Sequence, residues 1–147
     1  MGSWLVAHTP ASAGLVRRRL TSELAICGVA ADVIDSAGLI VTELVANAVR
    51  HGTPLDGGGV LASWWLRAGV LRVEVSAGGD GSPSDFAARA ALPVSAPSEE
   101  AESGRGLTIV DALASAWGIG AFGRTTVWAE LAQCPLATEP LTVGTPA

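Results

Sequence analysis

Glu43 and Asn47 stand four residues apart in the run from Ile40 to Gly52. On a helix of 3.6 residues per turn they share nearly one stripe and can reach one ligand, while Val41, Leu44, Val45 and Ala48 cover the other side. A carboxylate one turn from an amide suits a magnesium-bound polyphosphate. The amide oxygen is a hard ligand for a metal that keeps several of its waters, and the carboxylate can orient or deprotonate an attacking group beside it. Arg50 and His51 follow one turn on and could line the same cleft; counting does not fix which of them points inward. For His51 the plain alternative is a helix-end residue placed against the helix dipole. Further along, Gly104-Arg105-Gly106-Leu107 offers two glycines at the entry to a helical pattern, where free backbone N–H groups favour an anion.

These residues need a frame. The 147 residues fit one domain with a buried core. The apolar residues come in short runs, none near the roughly 20 residues that span a bilayer. The first eight residues lack a charged region followed by a long apolar core, so no signal peptide, no membrane partner and a cytoplasmic location are expected. The net charge of -5 and the scattered arginines argue against a nucleic-acid groove. Arg17-Arg18-Arg19 is the one basic cluster, and on a helix it fans out into a solvated face. Cys27 and Cys134 have no metal-ligand spacing and suggest no disulfide framework; Cys27 reads as helix-packing filler.

Thr9-Pro10 offers an N-cap and a first-turn proline for a helix through Leu15, Val16, Leu20, Leu24 and Cys27, ending at Gly28. A second helix runs from Asp32 to His51, with Gly38 a weak point and Gly52 as the left-handed residue after its end. Residues 53–59 form a loop. Val60 to Arg67 and Val70 to Ala77, joined by Ala68-Gly69, read as a β-hairpin with one buried face. From Gly78 to Ser103 the pattern dissolves, apart from a short helix near Asp85 to Ala91, and a loop of that length suits a lid or binding segment. A helix is expected from Gly106, then strands from Trp117 to Ala121 and Thr125 to Leu131, with Val127, Ala129 and Leu131 facing the core. Trp64, Trp65, Trp117 and Trp128 suit core or dimer packing, and His8 a structural or surface role. Helices on one face of a mixed sheet make a two-layer α/β sandwich over residues 1–133, with a flexible tail at 134–147.

Three segments in order now resemble a known family. "LIVTELVANAVRHG" resembles the N box of the GHKL (histidine kinase-like, Bergerat-type) ATPases, "ESGRGLTIVDALASAWGI" their second glycine box, and "TTVWAEL" their closing strand. "ASAGLVRRRL" is similar to the first helix of the small anti-sigma regulatory kinases within that superfamily. The resemblance implies ATP and Mg2+ as cofactors, with Asn47 as magnesium ligand and Glu43 as the base for a water or serine hydroxyl. It implies that Gly104 and Gly106 let backbone approach the phosphates, that Arg105 adds a charged contact, and that His51 and Leu107 border the nucleotide. The partners it implies are a sigma factor, an anti-anti-sigma protein, or both, and a homodimer is in keeping with the family.

One motif departs from the pattern. The family's first glycine box, DxGxG, follows a strand and uses its Asp to accept a hydrogen bond from the adenine amino group. Here Ala77-Gly78-Gly79-Asp80-Gly81 follows the strand, so Gly79 and Gly81 are kept while Ala77 replaces the Asp. Alignment on Asp80-Gly81-Ser82-Pro83 restores the Asp with a loop three residues longer. Alternation favours the ungapped version, since Val73, Val75 and Ala77 share a face. Losing a hydrogen bond to a charged group costs about 1.5 to 3 kcal/mol, or roughly ten- to a hundredfold in affinity. Two readings therefore stand: an ATP-dependent serine/threonine kinase, and a non-catalytic GHKL interaction module with weak or no ATP binding. A free ATPase is a third, marked by phosphate release without an acceptor.

Overall fold

The computed structural model describes residues 2–79, 101–121 and 124–132, with backbone alone for 101–106 and 121. The elements in chain order are β1 (Gly2–Val6), α1 (Ala11–Ile26), α2 (Ala31–His51), β2 (Val60–Arg67), β3 (Val70–Ala77), α3 (Ala101–Leu113), β4 (Ala116–Ala121) and β5 (Thr125–Leu131). The strands form one sheet in the order β1-β2-β3-β5-β4. The expected two-layer α/β sandwich is there, but every pairing among the described strands is antiparallel, where a mixed sheet was expected.

Alternation sorts the sheet into two faces. Val60, Ala62 and Trp64 of β2, Leu71, Val73, Val75 and Ala77 of β3, and Val127 and Ala129 of β5 are buried on one face. Helix α2 lies across this face and packs on β2, β3 and β5, with α1 and α3 against its sides. Ile40, Val41, Leu44 and Val45 of α2 are wholly buried, and each such side chain contributes about 1.5–3 kcal/mol by leaving water. The opposite face carries Arg72, which pairs with Glu74 at 2.7 Å and Glu130 at 2.9 Å and lies 4.2 Å from the Trp128 ring centre. Burial works against the Arg72 charge, but hydrogen bonds to the two carboxylates outweigh it and raise its pKa.

Several local features explain themselves once packing is known. Helix α1 ends in a Schellman motif: Gly28 has φ +80°, Val29 N–H donates to Leu24 O, and Gly28 N–H donates to Ala25 O. Gly38 is where α1 crosses, because a Cβ there would lie 3.2 Å from Arg17 Nε and from Thr21 Cγ2. The hairpin turn uses positive φ at both Ala68 and Gly69, the geometry that matches strand twist.

Four expectations need correction. Pro10 already has helical dihedrals and no side chain caps α1; the Ser12 hydroxyl donates instead to Ala7 O at 2.6 Å. Cys27 is exposed rather than packed, because it falls at the C-cap, beyond the buried stripe of Val16, Leu20 and Leu24. Gly52 is extended, with φ -96°, so it is not a left-handed cap. Helix α3 starts at Ala101, five residues before the expected Gly106; Ala101 and Glu102 are good helix formers and carry the helix through the two glycines. The strand β1 had no counterpart in the sequence reading. The short helix expected near Asp85 and the tail from Cys134 lie outside the described residues.

Candidate functional site

Helix α2 brings Glu43, Asn47 and His51 onto one stripe, as i, i+4 and i+8 positions must lie. Their surroundings differ. Glu43 is half-buried, Asn47 is 1% exposed, and His51 is half-buried with its Nε2 enclosed, while Arg50 points to solvent. The question of which basic residue turns inward is thereby answered for His51.

Asn47 is the anomaly of the helix. Its side-chain Nδ2 is buried and has no hydrogen-bond partner among the described residues. Leaving such a group unsatisfied costs about 1–3 kcal/mol. The two ends of an amide are distinguished only by their partners, so turning it over would present an oxygen at the same place. Around it Leu44, Val45 and Ala48 are packed into the core and hold the helix rigid.

At the end of α2 the chain closes tightly on the end of β3. A Cβ built on Gly52 would lie 2.7 Å from both Ala77 Cβ and the Ala48 carbonyl oxygen. The next residue, Thr53, forms a two-bond antiparallel bridge with Gly78: Thr53 N–H donates to Gly78 O at 3.2 Å, and Gly78 N–H donates to Thr53 O at 2.7 Å. A Cβ on Gly78 would collide with the Pro54 carbonyl. His8 Nε2 donates to Gly52 O at 3.1 Å and ties the loop after β1 to the same junction. This pin had no sequence signal beyond a histidine before an N-cap. Beside it, Ala77 pairs with Thr125 across β3 and β5, and a Cβ on Gly79 would lie 3.2 Å from Thr125 Oγ1.

Position 77 points, as alternation requires, to the helix-covered face and is 3% exposed. It meets glycine and offers no polar atom. Gly104, Arg105 and Gly106 are placed within α3 rather than ahead of it, so the helix's free N–H groups belong to residues nearer Ala101. Leu107 is buried in the core. Asp80 and Gly81 lie outside the described residues. Among the described residues no group of three or more His, Cys, Asp and Glu gathers to hold a metal ion, and no helix is long and apolar enough to cross a membrane.

The model of one protein family, described as a histidine kinase-like ATPase domain, matches residues 6–130. A search of curated proteins gives no match. Among solved structures, the crystal structure of the RsbU and RsbW domains of Rv1364c from Mycobacterium tuberculosis is similar, with a TM-score of 0.66 and 23% identity over 91% of this chain. The match spans 32% of that chain, about a third of its length, and at this identity it establishes the fold.

Proposed function

Because the chain belongs to the histidine kinase-like ATPase family, we propose that it is an ATP-binding regulatory protein of the anti-sigma kinase type. In this reading it binds a sigma factor and transfers phosphate from ATP to a serine or threonine of an antagonist protein. The observation that carries the reading is the buried amide of Asn47, whose Nδ2 has no hydrogen-bond partner among the described residues, one helical turn from the half-buried Glu43. The fold shared with a chain that includes an RsbW domain is in keeping with it.

The residues present fit a magnesium ion better than they fit the base of the nucleotide. A single amide oxygen, with no cluster of acidic ligands around it among the described residues, suits a metal that retains waters and takes its other ligands from phosphate. Magnesium, when bound, would neutralise phosphate charge. The protein's own part is to hold Asn47 rigidly through the packing of α2 and to place Glu43 where it can orient the incoming hydroxyl and take its proton.

Separating binding from transfer tests this reading. Glu43→Ala is expected to keep ATP affinity within about threefold and to abolish transfer to an anti-anti-sigma protein, since the lost group acts on the acceptor. Unchanged transfer in Glu43→Ala would remove Glu43 as the base. A second reading, a non-catalytic module that binds partners without turnover, is favoured by one observation, the apolar Ala77 packed on Gly52. It expects unchanged partner binding and unchanged regulatory output in Glu43→Ala.

A further inference from the structure

We infer that His8 is a positioning residue for the nucleotide site: by holding the carbonyl of Gly52 it keeps the last turn of α2 wound and couples the loop ahead of α1 to Asn47. The inference rests on the nucleotide-binding reading above and extends it to a residue outside the stripe of Glu43, Asn47 and His51.

A helix leaves its last four carbonyls without partners inside the helix, and its final turn frays unless something outside holds it. In α2 that turn ends at His51. In a regular helix the N–H of residue 51 bonds the carbonyl of residue 47, so loosening the turn loosens the backbone of Asn47. Gly52 is the C-cap residue, with φ -96° and ψ 174°, and its N–H donates to Ala48 O at 3.0 Å. The helix stops there, and the Gly52 carbonyl is one of the four left open.

His8 reaches that carbonyl from 44 positions away in the chain. Its Nε2 lies 3.1 Å from Gly52 O, and since a carbonyl only accepts, the ring nitrogen donates. The donor stands on a fixed loop. Val6, two residues before it, is buried at the end of β1. Thr9 N–H donates to Ala7 O at 2.9 Å, and Ser12, 2% exposed in the first turn of α1, sends its hydroxyl to the same oxygen at 2.6 Å. His8 thus ties the end of α2 to β1 and to the start of α1, while the Thr53–Gly78 bridge holds the next residue from the side of β3. Linkage makes the coupling reciprocal: if His8 steadies Asn47 for a ligand, a ligand on Asn47 steadies the loop that carries His8.

The test is calorimetric titration of the full chain with ATP and magnesium in wild type, His8→Ala, His8→Phe and His8→Gln, with hydrogen exchange of each protein with and without nucleotide. Phe keeps a ring without the donor and Gln keeps a donor without the ring, so this pair carries the test if His8→Ala fails to fold. His8→Ala and His8→Phe are expected to lose about threefold to tenfold in ATP affinity, the worth of one hydrogen bond. His8→Gln is expected to stay within about twofold of wild type. ATP is expected to slow exchange at the Thr9 and Ser12 amides in wild type and His8→Gln but not in the other two. Equal ATP affinity in all four proteins, with only the melting temperature lowered in His8→Ala and His8→Phe, makes His8 a structural pin alone and overturns the inference while leaving the nucleotide site standing. Slowed exchange at Thr9 and Ser12 that persists in His8→Phe overturns it as well. Absence of heat with ATP in wild type overturns the site reading itself, and the inference with it.

Discussion

The middle of α2 and the junction between α2 and β3 are built on opposite terms. At Asn47 a buried polar group is held without a partner among the described residues, at a cost the fold must carry. At Gly52, Ala77 and Gly78, about a turn and a half of helix further on, the backbone closes by glycine contacts and a hydrogen-bonded bridge, with Ala77 adding no polar atom. The difference teaches how the fold treats its polar groups in two places: the middle of α2 retains an amide nitrogen with no partner among the described residues, while the junction is made of packing and backbone hydrogen bonds.

The comparison can be broken most sharply at the junction. Gly78→Ala forces a methyl group into the Pro54 carbonyl, and a loss of about 3 kcal/mol is expected in urea denaturation. Gly52→Ala meets two neighbours at 2.7 Å, one of them backbone, and is expected to cost about 2 kcal/mol by the same measurement. At the other region the sign reverses. Asn47→Leu replaces the amide, whose Nδ2 has no partner among the described residues, with an apolar group of similar size and is expected to raise stability by about 1 kcal/mol while abolishing nucleotide binding. A destabilised Asn47→Leu would show that the amide is paired in solution. The smallest effect belongs to His8→Ala, which removes one hydrogen bond to Gly52 O. It is expected to lower stability by about 0.5–1.5 kcal/mol, with earlier hydrogen exchange at the Thr53 and Gly78 amides as the sign that the pin steadies the bridge.

The same contrast separates what could be read from the residue order from what could not. The hairpin over 60–77 was legible to the residue because Ala68-Gly69 separates two apolar runs and the second alternates from Leu71 to Ser76, and that alternation also placed Ala77 on the helix face. Helix α2 was legible to within one residue through its apolar stripe. Asn47 drew notice because its spacing from Glu43 is a local property. The junction is a tertiary property and had no local signature: Gly52 looked like a left-handed cap, yet its extended φ shows that it is needed for close approach instead. Gly104 and Gly106 read as the entry to a helix, yet the helix begins earlier and runs through them because neighbouring residues and packing of α3 on α2 outweigh the glycine cost. Five-residue β1 carries no turn signal and is defined by its pairing with β2.

The measurement that bears most directly on the central claim is calorimetric titration of ATP with magnesium into wild type and Asn47→Ala, with thermal melts of both proteins. The account predicts saturable binding by wild type below millimolar nucleotide and none by Asn47→Ala, with the variant still folded. Equal binding by the two proteins, or no binding by wild type at millimolar ATP, would contradict it.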